Sequence, residues 1–305
     1  MLESWPECGV SSFDVTDTSR ERAPRVREGY GRRVELPEAV RRLALDPFGE
    51  LPTSRQVERI ELDGAILSIN PWPGAQVVRP VGVSPLGVSG TVEAARAIAR
   101  KRGKRVLAWW ITREHDELAA ALEEAGLVNA DTLGFEAIEN GMALTSPPTG
   151  RPAEHVQIGE VEEWEEFAVV SEVTRTVFGF PEVPEEELRQ RYAEYVAELD
   201  LGMTLFAAID DRIVAGAYAA FGAAGINLFG ASVLPEARGQ GVYRSLVLAR
   251  WDLAVRRGTP ALTVQAGRMS RPICERMGFT FVEAVRVFVD DLGEQSGTGR
   301  DRRSA

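Results

Sequence analysis

The sequence predicts an α/β (α+β) chain built as two tandem domains, each a mixed, mostly antiparallel sheet flanked by helices. Three observations carry this. Strand-like and helix-like segments alternate along the whole chain. A low-charge strand, a glycine-bearing loop and a helix follow one another directly over Phe229–Leu246. The two halves also repeat the same order: Val83-Ser84-Pro85 is echoed by Val233-Leu234-Pro235, Arg102-Gly103 by Arg257-Gly258, and Leu122-x-x-x-Gly126-Leu127 by Cys274-x-x-x-Gly278-Phe279, each about half the chain apart.

In the first half, residues 1–33 are polar and Arg-rich and read as an extended lead-in. Leu36 to Leu45 has helical periodicity, with Leu36, Val40, Leu43 and Ala44 on one side. Val57 to Ile69 reads as two strands turning at Asp63-Gly64, and Val77 to Val83 as a further strand. Thr91 to Arg102 is a helix stopped by Gly103, Val106 to Ile111 a strand, and Glu114 to Ala125 a helix stopped by Gly126. Trp109 and Trp110 are neighbours on that strand, so they face opposite sides of it.

Ser146-Pro-Pro-Thr-Gly150 with Pro152 reads as the linker. After it come a short strand at Val156–Ile158 and helices over Glu162–Phe178 and Glu185–Leu199. Strands follow at Met203–Ile209 and Arg212–Phe221, joined at Asp210-Asp211, and at Gly225–Val233. Gly241 to Arg257 is a helix, Ala261 to Ala266 a strand, Pro272 to Met277 a helix and Phe279 to Val289 a strand or strand pair. Domains are expected at 1–148 and 153–292, with a disordered polar tail at 293–305.

Composition narrows the partners. The 305 residues carry a net charge of −11, and no Lys/Arg cluster is interleaved with aromatics, which argues against nucleic acid. Two distant cysteines, Cys8 and Cys274, make no disulfide framework, so a reducing, cytoplasmic setting is expected. His115 and His155 stand in no metal-ligand spacing with them, and no metal is expected. Ile213 to Leu234 is uncharged and long enough to span a bilayer, but four glycines and Asn227 interrupt it, so a buried hairpin is the better reading and no membrane partner is expected.

The chemistry points to the loop Pro235–Gln240 and the helix after it. A helix N-terminus presents unsatisfied N–H groups and partial positive charge, and glycines let backbone approach an anion closely. The dinucleotide pattern G-x-G-x-x-G fails, because Gly239 and Gly241 are followed by Arg244, and no P-loop Gly-Lys-Ser/Thr is present. What fits is R-x-x-G-x-G/A after V-x-P, through Arg238 and Gly241, with Tyr243 where Gly or Ala is usual. Downstream, Cys274-x-x-x-Gly278-Phe279 fits a Y-x-x-x-G-F frame with Cys in the Tyr place.

These two motifs, in this order and at this spacing, resemble the GNAT superfamily of acyl-CoA N-acyltransferases. The resemblance is specific over Met203–Val289, fair over 155–202 and weak over the first half. It implies two GNAT-like domains in tandem. In the N-terminal copy, Leu86-Gly-Val-Ser-Gly90 has lost the arginine and Leu122 takes the Tyr place, so that copy is expected to be degenerate and to act as a platform, a pocket wall or an interface.

The resemblance also implies a site in the second half. Ser232, Val233 and Leu234 would hold the pantetheine arm and polarise the thioester. The backbone of Gly239, Gln240, Gly241, Val242 and Tyr243 would hold the diphosphate, with Arg238 and Arg244 adding charge. The co-substrate is then acetyl-CoA or a related acyl-CoA, and the acceptor an amine, in all expectation of a small molecule. The general acid would fall to Cys274, whose thiol at a helix start is expected to favour the thiolate; the alternative is a buried apolar role. Glu182 and Glu185, in the acidic stretch between the first two helices, could hold a cationic amine or simply open a helix in solvent. The competing functional reading is a catalytically impaired CoA-binding sensor or scaffold. Protein acylation is a third reading, and an oligomer is compatible with the sequence.

Overall fold

The computed structural model describes residues 35–70, 74–78, 87–130 and 138–293. The lead-in 1–33 with Cys8, the echo at Val83–Pro85 and the tail from 294 lie outside the described residues.

Pro37 ends the entry segment, and α1 (Glu38–Leu45) follows, burying Val40, Leu43 and Ala44. Asp46 then caps a one-turn helix, α2 (Pro47–Glu50), its Oδ1 accepting from Gly49 N at 2.9 Å. The expected hairpin forms as β1 (Glu58–Leu62) and β2 (Ala65–Ile69), turning at Asp63-Gly64. β3 (Gly74–Val78), α3 (Val88–Lys101) and β4 (Val106–Ile111) make a parallel crossover unit. A 3-10 turn leads into α4 (Asp116–Glu124), then β5 (Val128–Asn129) and β6 (Ile138–Leu144).

The second half repeats the plan. β7 (Gln157–Glu160) precedes α5 (Trp164–Phe178) and α6 (Glu185–Ala197). β8 (Gly202–Ile209) and β9 (Arg212–Gly222) turn through Asp210 and Asp211, both at positive φ, as a two-residue hairpin turn requires. β10 (Gly225–Val233), α7 (Val242–Arg256) and β11 (Leu262–Ala266) form the second parallel crossover. α8 (Arg271–Arg276) and the long β12 (Thr280–Asp291) close the described chain. The uncharged stretch 213–234 is the β9–β10 hairpin, and among the described residues no helix is long and apolar enough to cross a membrane.

Among the described residues the two expected sheets join into one of twelve strands, in the order β1-β2-β3-β4-β12-β6-β11-β10-β9-β8-β7, with β5 on β12. The join is an exchange. β6, before the linker, pairs with β11 from Leu262↔Leu144 to Ala266↔Asn140. β12, at the end of the chain, pairs with β4 from Arg286↔Ile111 to Asp291↔Val106. β6 and β12 also pair with each other, so they form the seam between the halves. Arg96 of α3 adds an ion pair to Asp290 of β12, tying the last strand to the first half.

Helices cover both faces. Val170 of α5 approaches Gly216, while Leu43 and Leu51 approach Gly222; six residues apart on one strand, the two glycines share a face. The α1–α2 segment and α5 therefore lie on one face. α7 covers the other, against β10. Two large buried clusters result, one around Leu246, Leu262 and Ile226, the other around Trp109, Leu107 and Phe288.

Candidate functional site

β10 and β11 pair at only two positions, Ile226↔Leu262 and Asn227↔Thr263. Beyond them β11 stays with β6, while β10 stays with β9 and is bulged between Phe229 and Ser232. Gly230 in the bulge has φ 53°, and a bulge of this kind twists its strand away from a neighbour. The result is a wedge in the middle of the sheet, closed at Asn227/Thr263 and open toward Val233 and Ala266.

The residues expected along the wedge divide. Ser232 is buried, with Oγ 3.0 Å from Thr174 Oγ1 and 3.4 Å from Gly216 O, so its side chain serves the α5 contact. Leu234 is buried and donates its amide to Val214 O at 2.9 Å, toward β9. Antiparallel ladders alternate, so the Val233 backbone points the other way, into the wedge.

At the open end, Pro235–Ala237 forms a 3-10 turn and Gly239 and Gly241 take φ 77° and 83°. Gly241 is the N-cap of α7, no side chain caps the helix, and no acidic residue lies in its first turn. Its leading amides therefore face outward with the helix dipole behind them. The cradle is held rigidly. Ser245 Oγ donates to Gly241 O at 3.2 Å and accepts from Ala153 N at 3.0 Å. Gln240 is folded back, Nε2 to Glu236 O at 2.9 Å, and Val242 is buried. Arg238 is exposed and reaches Val233 O through Nε at 3.2 Å. Arg244 is exposed and lays its guanidinium beside Gly241. A Cβ on Gly241 would lie 3.1 Å from both Ala153 Cβ and Arg244 Nη2. The loop thus offers backbone donors, two arginines and close access, which suits a diphosphate.

Between α7 and α8 the structure brings together two residues that the sequence treats separately. Tyr243 turns inward and places its hydroxyl 3.7 Å from Cys274 Sγ. Burial pushes the Tyr243 hydroxyl well above its ordinary value, with the nearby Cys274 adding to the shift. Burial likewise pushes the Cys274 thiol up, against the pull of the Tyr243 hydrogen bond and the Arg250 charge. This corrects the expected thiolate. Cys274 sits one turn into a six-residue helix, its amide already donated to Ser270 O, and burial outweighs the helix start. Arg250, two turns after Tyr243 on α7, is fully buried; Nε donates to Leu246 O at 3.1 Å and Nη1 to Tyr218 O at 3.3 Å. A charged residue in a helix with otherwise ordinary periodicity was the one signal for Arg250, and it reads equally well as a surface arginine.

The acidic stretch stays in solvent. Glu182 is exposed near Arg175, and Glu185 pairs with Arg189 at 2.7 Å along α6, so the structure brings neither to the wedge. On the α1–α2 face, Phe48 lies 5.4 Å from both Trp110 and Phe229, which links the first half to the bulged strand, while Trp109 is wholly buried. In the first half the equivalent pair β3–β4 holds four rungs, Gly74↔Val106 to Val77↔Trp109, and Gly87, preceding α3, has φ −91°. Among the described residues no group of three His, Cys, Asp or Glu could hold a metal ion.

No family model matches the sequence, and no curated protein matches it. Solved structures do. A GCN5-related N-acetyltransferase from Kribbella flavida superposes with TM-score 0.60 at 17% identity, covering 84% of this chain and 97% of that one. One from Sphaerobacter thermophilus gives 0.57 at 15%, covering 76% and 82%. A tandem GNAT protein from the clavulanic acid biosynthesis pathway gives 0.56 at 15%, covering 84% and 95%. At these identities the similarity establishes the fold: this chain has a tandem GNAT fold.

Proposed function

We propose that the second half binds acyl-CoA and transfers the acyl group to an amine, in the first instance acetyl to a small-molecule acceptor. One observation carries the reading: the wedge between β10 and β11 opens directly onto the uncapped start of α7. A phosphate-bearing thioester needs an anion cradle at one end and unpaired backbone along its arm, and here the two are contiguous.

Each residue then has a task. The amides of Gly239–Tyr243 bind the diphosphate, with Arg238 and Arg244 at the rim. The Val233 backbone holds the arm by strand-like hydrogen bonds. Ser232 and Leu234 act by fixing β10 against α5 and β9. The thioester carries the activated acyl group; the chain supplies orientation and exclusion of water. The amine must attack as the free base. It enters from the α1–α2 face, where Phe48, Trp110 and Phe229 form an apolar wall. The first half supplies Phe48 and Trp110 of that wall and binds no acyl-CoA itself. Its unbroken β3–β4 rungs support this. Cys274 is neither nucleophile nor acid in this reading, because its thiol is buried and held neutral beneath Tyr243. A thiolate leaving group with a pKa of about 8.5 departs near neutral pH with solvent as the proton source.

Calorimetric titration of acetyl-CoA and free CoA into the full chain tests the reading. One site is expected, lost in Gly241→Val. Two sites would restore the first half as a binding domain, and none would end the transferase reading. Binding without transfer to any amine would favour a sensor or scaffold.

A further inference from the structure

We propose that Arg250 is a catalytic residue: its Nη2 donates to the thioester carbonyl from beneath the β10 bulge and holds the oxyanion that forms there. The inference rests on the reading of the wedge as the acyl-CoA site and adds the group that receives the developing charge.

Arg250 is wholly buried. Its Nε donates to Leu246 O at 3.1 Å and its Nη1 to Tyr218 O at 3.3 Å, while among the described residues its Nη2 has no hydrogen-bond partner. The titratable groups that act on it are Tyr243 and Cys274, and no carboxylate is among them. A guanidinium keeps its proton inside a protein, and a buried cation without a counter-charge is costly. Such a group is suited to a site where negative charge appears only during reaction.

Three contacts place the guanidinium. Tyr218 pairs with Phe229, the last regular rung before β10 bulges. The Nε bond to Leu246 O turns the side chain back along α7, toward the start of the helix and the cradle. Tyr243, two turns earlier on the same side of α7, reaches Cys274 on α8, beyond β11. Arg250 therefore lies on the α7 face under the bulged stretch of β10, the strand that forms one edge of the wedge. The wedge is a gap in the sheet, so an arm seated in it is open to contact from either face. From Val233 to Phe229 is four residues, roughly 13 Å at about 3.3 Å per residue, so an extended arm entering at the cradle brings its thioester end to this stretch.

The α1–α2 face is left to the amine. As its nitrogen lone pair forms the N–C bond, the carbonyl π pair moves onto oxygen, where Nη2 donates a charge-assisted bond. When the C=O bond re-forms, the C–S bond breaks and its pair leaves on sulfur. The nitrogen gives one proton to solvent, and the thiolate takes one from solvent. The bound thioester is neutral and the intermediate is not, so the guanidinium favours the transition state over the substrate.

The test titrates the full chain with free CoA, acetyl-CoA and S-ethyl-CoA, which lacks the carbonyl, and records the infrared carbonyl stretch of bound acetyl-CoA labelled with carbon-13 at that carbon. Acetyl-CoA is expected to bind about tenfold tighter than S-ethyl-CoA, the worth of one bond from a charged donor, with its stretch moved to lower wavenumber. Arg250→Met is expected to bring the ratio to within about twofold and to remove most of the shift, while free CoA still binds. Should that variant fail to fold, Arg250→Lys, which keeps the charge on a shorter reach, is expected to reduce both. Equal affinity of the wild-type chain for the two thiol derivatives, an unshifted stretch, or a ratio and shift that persist in whichever variant folds overturns the role of Arg250 alone. Failure of free CoA to bind overturns the acyltransferase reading and this inference with it.

Discussion

The hydroxyl of Tyr243 on α7 stands 3.7 Å from the thiol of Cys274 on α8. Tyr243 replaces the small residue usual in the phosphate-loop motif, and Cys274 replaces the tyrosine usual in the downstream frame. The two departures occupy one space: a large side chain grown from α7 meets a small one on α8. A tyrosine at 274 and a tyrosine at 243 would compete for the same volume, so the pair reads as a single exchange of bulk between two helices.

Cys274→Tyr is therefore expected to destabilise the protein by about 1–3 kcal/mol, the usual cost of overpacking a closed core. The double variant Tyr243→Ala, Cys274→Tyr is expected to recover most of that loss. Urea denaturation of both singles and the double measures the coupling. Simple additivity would show that the two residues do not share a space. The double, with tyrosine moved to α8, is also the fair test of whether an acid at 274 raises turnover.

Stability should fall on the alkaline side. Cys274 and Tyr243 both have raised values in the folded state, chiefly through burial. Between the unfolded and folded values the unfolded chain has released protons that the native chain retains, so the slope of stability against pH is negative there. The contribution is whole below the unfolded thiol value of about 8.5 and declines as pH rises past it. Chemical denaturation from pH 7 to 10 should show the decline, and Cys274→Ala should flatten its first part. In a Cys8→Ser chain, thiol labelling of native Cys274 at pH 8 should be slow and become fast on unfolding.

Gly241→Val tests the cradle. Gly241 has φ 83°, where a β-branched residue is strained by about 1–2 kcal/mol, and its Cβ would press on Ala153. The variant is expected to stay folded and to lose CoA affinity tenfold or more. Gly239→Asn meets open space at a comparable φ and should keep most of the affinity. Titration of CoA into each separates the two cases.

How much of this was legible beforehand follows from where the signals are local. The β1–β2 and β8–β9 hairpins announce themselves through Asp63-Gly64 and Asp210-Asp211, and α7 and its loop through Arg238, Gly239 and Gly241. β6 was illegible. Ile138-Glu139-Asn140-Gly141 has poor strand propensity, and its place depends on distant partners: Asn140 bonds Ala266 O and Arg271, and Gly141 admits α1. The Tyr243–Cys274 contact and the burial of Arg250 were illegible for the same reason, since they are set by how α7 and α8 lie on the sheet. The sensible domain limits at the linker likewise gave no hint that β6 and β12 exchange sides.

That exchange makes a prediction about folding. β12 lies between β4 and β6, so it is shared by both halves. Removing residues 280–293 would expose two unpaired strand edges in the middle of the sheet, together with the buried clusters that Phe288 and Val287 complete. The truncated chain is expected to aggregate or remain unfolded, and the intact chain to unfold in one cooperative transition by circular dichroism and tryptophan fluorescence alike. A milder probe sits on the other shared strand. Gly141→Ala places a Cβ 2.7 Å from Leu45 Cδ2 and 2.9 Å from Ala44 O; the leucine can move, the backbone carbonyl cannot without shifting α1. The expected cost is about 1–3 kcal/mol, read as a lower urea midpoint for both probes together. Two separate transitions, with only one moved by Gly141→Ala, would show that the halves are independent and that the shared seam does not couple them.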